Sequence, residues 1–454
     1  MQPDAVLDQK ARSSLARPLL LIGSAAAAIA GIGWLARPDA RAVALPKPVP
    51  LGESYAGHDA AKTLAEIDAN IAALNARIAS PNGDMIDHEN LSIAYVGRTK
   101  LTGSFADLLA AQQALDGGFA KAPEGMGPWL AKAAAAFTAH RIDVAAAALD
   151  KVDGFAIPDT YTRAEAKAIR ADVAMARGND REAARLLAEA EAIDRWPGLY
   201  FRKALLSRLT GDFDGARRLF AQADAANPNP TPLFRADMHL RQGELDFAQG
   251  RWEDARAHYA DAAKALPGYW RADMRVAQMM AIDGKVPEAL ARFEAIAERF
   301  GEPDAMYVAA GLNRDLGNKD RSQRWIDRAS KAWAERLVQL PEASWGHAVE
   351  HELAWGDPKR ALALAGQNVR NRPDAIATLL LAEAWLANDR PDYALALCQR
   401  VEAKGWVLAD QWTIRAVALD ALGRKNEAKA ARAKAKAINP RENDPNPALA
   451  WFHN

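Results

Sequence analysis

Cysteine is almost missing from this chain. Cys398 stands alone among 454 residues, so no internal disulfide can form and no cysteine cluster can hold a metal. Excess charge is missing as well, because 58 Lys and Arg face 58 Asp and Glu. Without a basic field to displace counterions from phosphates, nucleic acid is not an expected partner. Nucleophile elbows, phosphate-binding glycine loops and cysteine metal motifs are absent too, and no cofactor is expected. What remains is a globular composition, half hydrophobic and about a quarter charged, compatible with an oxidising compartment.

What is present is a repeat. Gly211 is followed by Phe213, Ala216, Phe220, Ala223 and Pro228, and Gly250 by Trp252, Ala255, Tyr259, Ala262 and Pro267, at identical offsets. On a helix of about 3.6 residues per turn these alternate a small residue with a ring on one face, against which a second helix must lie. That second helix is legible upstream of each glycine, as Leu199 to Leu209 and Ala236 to Ala248. The spacing resembles the tetratricopeptide repeat (TPR), whose period is about 34 residues. Equivalent turn positions fall at Gly103, His140, Gly178, Gly211, Gly250, Gly284, Gly317, Gly356, Asp389 and Gly423. The alanine after the turn recurs as Ala145, Ala183, Ala216, Ala255, Ala289, Ala361, Ala394 and Ala428, with Leu108 and Ser322 as departures. The resemblance implies an all-α, right-handed α-solenoid of about ten TPR-like hairpins over residues 85–440, an elongated stack in which longer intervals are longer loops.

Ahead of the array, residues 1–17 form a tail with three basic residues, and 18–36 carry no charge. Nineteen helical residues reach roughly 28 Å, the thickness of a bilayer's hydrocarbon core. This reads as one transmembrane helix; a signal peptide cleaved near Ala40–Ala44 is the alternative. Arg37, Arg41 and Lys47 balance the basic residues on the near side, so charge does not set orientation. A short leading tail and an Ala- and Arg-rich composition point to a bacterial inner membrane with the repeats facing the periplasm. Residues 37–61 are a proline-rich spacer. Residues 62–80 form an amphipathic helix with Leu64, Ile67, Ile71, Leu74 and Ile78 on one stripe, either a cap on the first repeat or a short coiled-coil seam. With Gly23, Ala27 and Gly31 on the span, that seam offers a parallel homodimer. Residues 441–454 are a polar tail whose Trp451 and Phe452 dock on the terminal helix or present a short ligand.

Two patterns bear on chemistry. His347, Glu350 and His351 have the H-x-x-E-H spacing of inverted zincins, with Glu383 on the next unit as the one sensible third ligand. The bland alternative is a pair of histidines on a groove wall. Arg202, Arg241 and Arg275 occupy the sixth position of three consecutive units, which in TPR-like arrays points into the concave groove, with Tyr307 and Arg314 extending the wall. Guanidinium forks suit carboxylates, so such a row would take an acidic or carboxyl-terminal peptide segment. Arginines tolerated at solvated positions and paired with Glu244 or Asp237 are the alternative. The reading that follows is a non-enzymatic scaffold for protein or peptide partners beside a membrane. A membrane-tethered metallohydrolase and a cytosolic adaptor are the other two readings.

Overall fold

The computed structural model describes residues 45–154, 159–442 and 444–452. The span proposed at 18–36 lies outside the described residues, and among these no helix is long and apolar enough to cross a membrane. All regular structure among the described residues is helical. Helix α1 (Ala60–Ile78) precedes ten hairpins. These are α2 (Met85–Thr102) with α3 (Phe105–Lys121), α4 (Trp129–Thr138) with α5 (Ile142–Asp153), and α6 (Thr160–Ala176) with α7 (Asp180–Ile193). Next come α8 (Pro197–Leu209) with α9 (Phe213–Ala225), α10 (Pro232–Ala248) with α11 (Trp252–Ala265), and α12 (Trp270–Ile282) with α13 (Val286–Phe300). The array ends with α14 (Pro303–Asp315) and α15 (Lys319–Gln339), α16 (Pro341–Trp355) and α17 (Pro358–Asn371), α18 (Ala375–Ala387) and α19 (Pro391–Ala403), and α20 (Ala409–Ala421) and α21 (Lys425–Ile438).

Local chemistry sets these boundaries. The Asp84 side chain accepts from the Ile86 and Asp87 amides while Asp87 returns the bond, a complete capping box. Asp212 caps α9 through the Gly215 amide, and Pro197, Pro232, Pro303 and Pro341 open their helices, where a missing N–H costs nothing. Nine of the ten turn positions have a left-handed backbone, including the non-glycine His140 and Asp389, both at φ 56°; Gly356 alone departs, at φ −119°. Beyond each turn the repeated alanine has no exposed surface, from Ala145 to Ala428. Ser322, the polar departure, is buried too and donates from Oγ to the Ala310 carbonyl at 2.8 Å. Helix partners approach closely there, and rings such as Phe220 and Tyr259 fill the space beside them.

Three expectations need correction. The 39-residue interval from Gly317 to Gly356 is taken up by helix rather than by a long loop, since α15 runs for 21 residues and α16 begins at Pro341. The array is also not an open stack, because successive superhelical turns touch. Side chains from later units and from the tail reach carbonyls at the helix ends and turns of earlier hairpins. Trp270 Nε1 reaches Lys100 O at 3.2 Å, Asn371 Nδ2 reaches His140 O at 2.8 Å, Lys404 Nζ reaches Gly178 O at 2.9 Å, and Asn446 Nδ2 reaches Ile282 O at 2.7 Å. The extra turns of α15 serve the same closure, as Arg336 donates to Gly103 O at 3.3 Å and covers the Phe105 ring at 4.6 Å. Gly178 shows why a side chain is excluded: besides its left-handed φ, a Cβ there would lie 2.9 Å from Pro373 O.

The third correction concerns the tail. Trp451 and Phe452 do not rest on α21; Pro447–Trp451 is a 3-10 turn against α14, on the concave side of the seventh hairpin. At the other end, Ile71 and Leu74 of α1 pack with Leu91 and Ala114, so this stretch of the stripe is covered within the chain and the homodimer seam has no open face there. Cys398 lies in the core, and burial raises its thiol to about 12.

Candidate functional site in the concave cavity

Closure of the superhelix turns the concave groove into a cavity of about 340 Å³, walled mainly by the first helices of units 5 to 8, with Arg208 of unit 4, residues of the first two units and the tail completing it. Its two ends differ. At one end Glu244 sits among arginines, accepting from Arg241 Nη1 at 2.9 Å and Arg275 Nη2 at 3.1 Å. Burial opposes its ionisation, yet Arg241, Arg275 and Arg208 hold the Glu244 carboxyl down at about 2. Asp237 adds its charge on the Arg241 side and Asp304 on the Arg275 side. Asp410, toward Arg208, has its carboxyl pushed up to about 8 by burial beside Glu442 and Glu383.

Around Glu244 three donors lack acceptors. Arg208 is 5% exposed and its Nε has no hydrogen-bond partner; Tyr259 Oη and Gln278 Nε2 are equally unpaired, each on a residue 1% exposed. All three line the cavity. Burial raises the Tyr259 phenol well above its ordinary range, so it stays a donor. Buried donors left unpaired are costly. All three open on one space.

The other end is aromatic and seats the chain's own tail. The Trp451 ring stacks on Trp355 at 5.2 Å and 7°, and its Nε1 donates to Asp315 Oδ2 at 2.6 Å. Arg314 lies over both indoles, at 4.5 and 4.4 Å, while Tyr307 meets each edge-on. Gly311 makes room, since a Cβ there would fall 2.1 Å from the Trp451 ring. Between the ends His347 stacks on Trp333 at 5.7 Å, with Nδ1 3.3 Å from Asp304 and 3.5 Å from Glu350. Asp304, ahead of an opposing burial effect, then Glu350, raise His347 to about 9.

The structure thus brings Arg241, Arg275, Tyr307 and His347 to one cavity and places Arg314 against Trp355 and the tail. Arg202 is elsewhere: it is 4% exposed and locked by Asp172 and Glu165 of the preceding unit, both at 2.7 Å. His351 lines the same cavity and shares a 2.8 Å hydrogen bond with Ser330. His347, His351 and Glu383 do not form a metal-donor group among the described residues. Sequence reasoning missed Arg208, Tyr259 and Gln278. A signal existed for Gln278, which stands six residues before its turn glycine, as Glu244 does. Arg208, at a different position of its unit, gave none.

Paired helices with left-handed turns and a buried alanine after each define a TPR-like α-solenoid. Neither a protein-family model nor a curated protein matches the sequence. Among solved structures the chain is similar to a tetratricopeptide repeat protein from Parabacteroides merdae ATCC 43184, at 17% identity over 56% of this chain and 97% of that one, TM-score 0.33. It is also similar to Rap protein complexed with competence and sporulation factor, at 11% identity over 71% and 98%, TM-score 0.41. A third is the human IFIT1 dimer with PPP-AAAA, at 11% identity over 82% and 94%, TM-score 0.37. At these identities and scores the likenesses carry no weight for ligand or activity.

Proposed function

We propose that the protein is a non-enzymatic binding scaffold that takes a peptide segment of a partner protein into its concave cavity, with the segment's carboxylate at the arginine end. The observation that carries this reading is the set of unpaired buried donors, Arg208 Nε, Tyr259 Oη and Gln278 Nε2, beside Arg241 and Arg275. A carboxylate accepts from several donors at once, neutral and charged. The seat occupied by Trp451 supports a peptide ligand, since it already holds a 3-10 turn of the chain's own tail through its rings. Arg241, Arg275, Tyr307 and Arg314 belong to the proposed site; Arg202 supports the fold. With this reading we place the array beside a bacterial inner membrane, held by residues 18–36 and facing the periplasm, which a reporter fused after Asn454 tests by its activity outside the cytoplasm.

The binding test is a titration of the full chain with the pentapeptide Ala-Leu-Ala-Trp-Phe, as free acid and as amide. The acid should bind at least about tenfold more tightly, the worth of a charged hydrogen bond of about 1.5–3 kcal/mol. Arg208→Gln should remove that preference. Equal binding of acid and amide would overturn the carboxylate assignment.

A further inference from the structure

The fifth hairpin carries a second cluster, outside the cavity, that the scaffold reading does not use. His239 on α10 and His258 and Asp261 on α11 each present a donor atom, and these lie within 4.8 Å of one another. The imidazole rings are 5.9 Å apart, inclined at 31°. Nδ1 of each histidine is buried and has no hydrogen-bond partner. A neutral imidazole in a protein interior ordinarily uses both nitrogens. Here two neighbouring rings each leave a nitrogen unanswered, and a carboxylate stands beside them.

The surroundings of His258 are those of a metal ligand. Its Nε2 lies 3.5 Å from Oδ2 of Asp246, a carboxylate 1% exposed and fixed on its other oxygen by Arg217 at 3.1 Å. A carboxylate behind Nε2 draws the ring proton to that side and leaves Nδ1 as the coordinating nitrogen, the arrangement by which metal-bound histidines are oriented. We infer that His239, His258 and Asp261 bind a divalent transition-metal ion of the zinc class, tying α10 to α11. Two imidazoles and one carboxylate suit zinc and its late first-row neighbours and not magnesium or calcium, which take all-oxygen sets. Bonds of about 2.0–2.2 Å require the donors to draw together by roughly 1 Å, a movement the exposed Asp261 side chain can make. Three protein ligands leave one position to water.

The experiment is a titration of the full chain, freed of any affinity tag and stripped with chelator, with ZnCl2, and in parallel with MgCl2 and CaCl2. One zinc per chain and a raised melting temperature that reverses with chelator are expected, because a ligand of the folded state stabilises it by mass action. His239→Asn and His258→Asn should each weaken zinc binding more than about tenfold, and Asp261→Asn, at a surface position that does not endanger folding, by roughly tenfold. The double variant His347→Gln, His351→Gln should bind zinc as the parent does. The inference is overturned if no zinc binds, if magnesium or calcium binds equally well, if Asp261→Asn and His239→Asn leave the affinity unchanged, or if the His347, His351 double variant abolishes it.

Discussion

Unit 4 and the two units after it carry the same residue at the same place with opposite outcomes. Arg202, Arg241 and Arg275 each stand nine residues before their turn glycine. Arg202 meets two carboxylates from α6, Glu165 and Asp172, and both arms of its fork are taken inside the packing of units 3 and 4. Arg241 and Arg275 both donate to Glu244 and face the cavity. The same position in a repeat thus puts one arginine inside the packing and two at the cavity, according to where the nearby acids stand.

The largest expected effect breaks that contrast directly. Arg202→Ala would strand Glu165 and Asp172 and should cost about 3–5 kcal/mol in urea unfolding. Arg208→Gln removes a buried cation with no hydrogen-bond partner at Nε and should leave stability unchanged or raised. A similar loss from both would erase the distinction between structural and ligand-facing arginines. Next comes overpacking at a helix contact both regions share: Ala216→Leu in unit 4 and Ala255→Leu in unit 5 should each cost about 1–3 kcal/mol by thermal melting. Smaller still is the tail seat. Gly311→Ala should evict Trp451, shifting tryptophan fluorescence to the red and lowering stability by about 1 kcal/mol, the scale of lost aromatic stacking.

The smallest effect is a pH dependence. His347 titrates at about 9 in the folded chain against 6.5 as its ordinary value, so the folded state holds the proton more tightly. Its contribution is complete below about pH 6.5 and is lost as pH rises through 9. Solvent reaches 39% of the side chain, and the contribution should stay below about 1 kcal/mol after screening. Melting temperatures from pH 6 to 10 for the parent and His347→Gln should converge at the alkaline end.

Much of the fold was legible because the signals are local. A left-handed turn selects glycine, and where it does not, as at His140 and Asp389, the offsets of the following alanine still mark it. Ala145 to Ala428 are legible because a close helix contact accepts nothing larger. The closure of the superhelix was not legible, since Asn371 finds His140 across 231 residues through a single side-chain bond to a carbonyl. Any donor at any spacing can make that bond, so no period announces it. The same blindness hid Arg208, whose meaning depends on the absence of an acceptor, and it sent the tail to α21 on proximity in sequence alone. Arg202 misled because its carboxylate partners lie 30 and 37 residues upstream.

The contacts between superhelical turns bear on how such a chain can change over generations. An open array tolerates duplication or loss of a unit, because each unit knows only its neighbours. Here Asn371 must arrive at His140, Lys404 at Gly178 and Asn446 at Ile282. Deleting one hairpin between these partners would offset every later donor by a whole unit and carry the tail away from Gly311 and Trp355. Repeat number is therefore held fixed by the seam between turns, and insertions are confined to segments that no later unit meets.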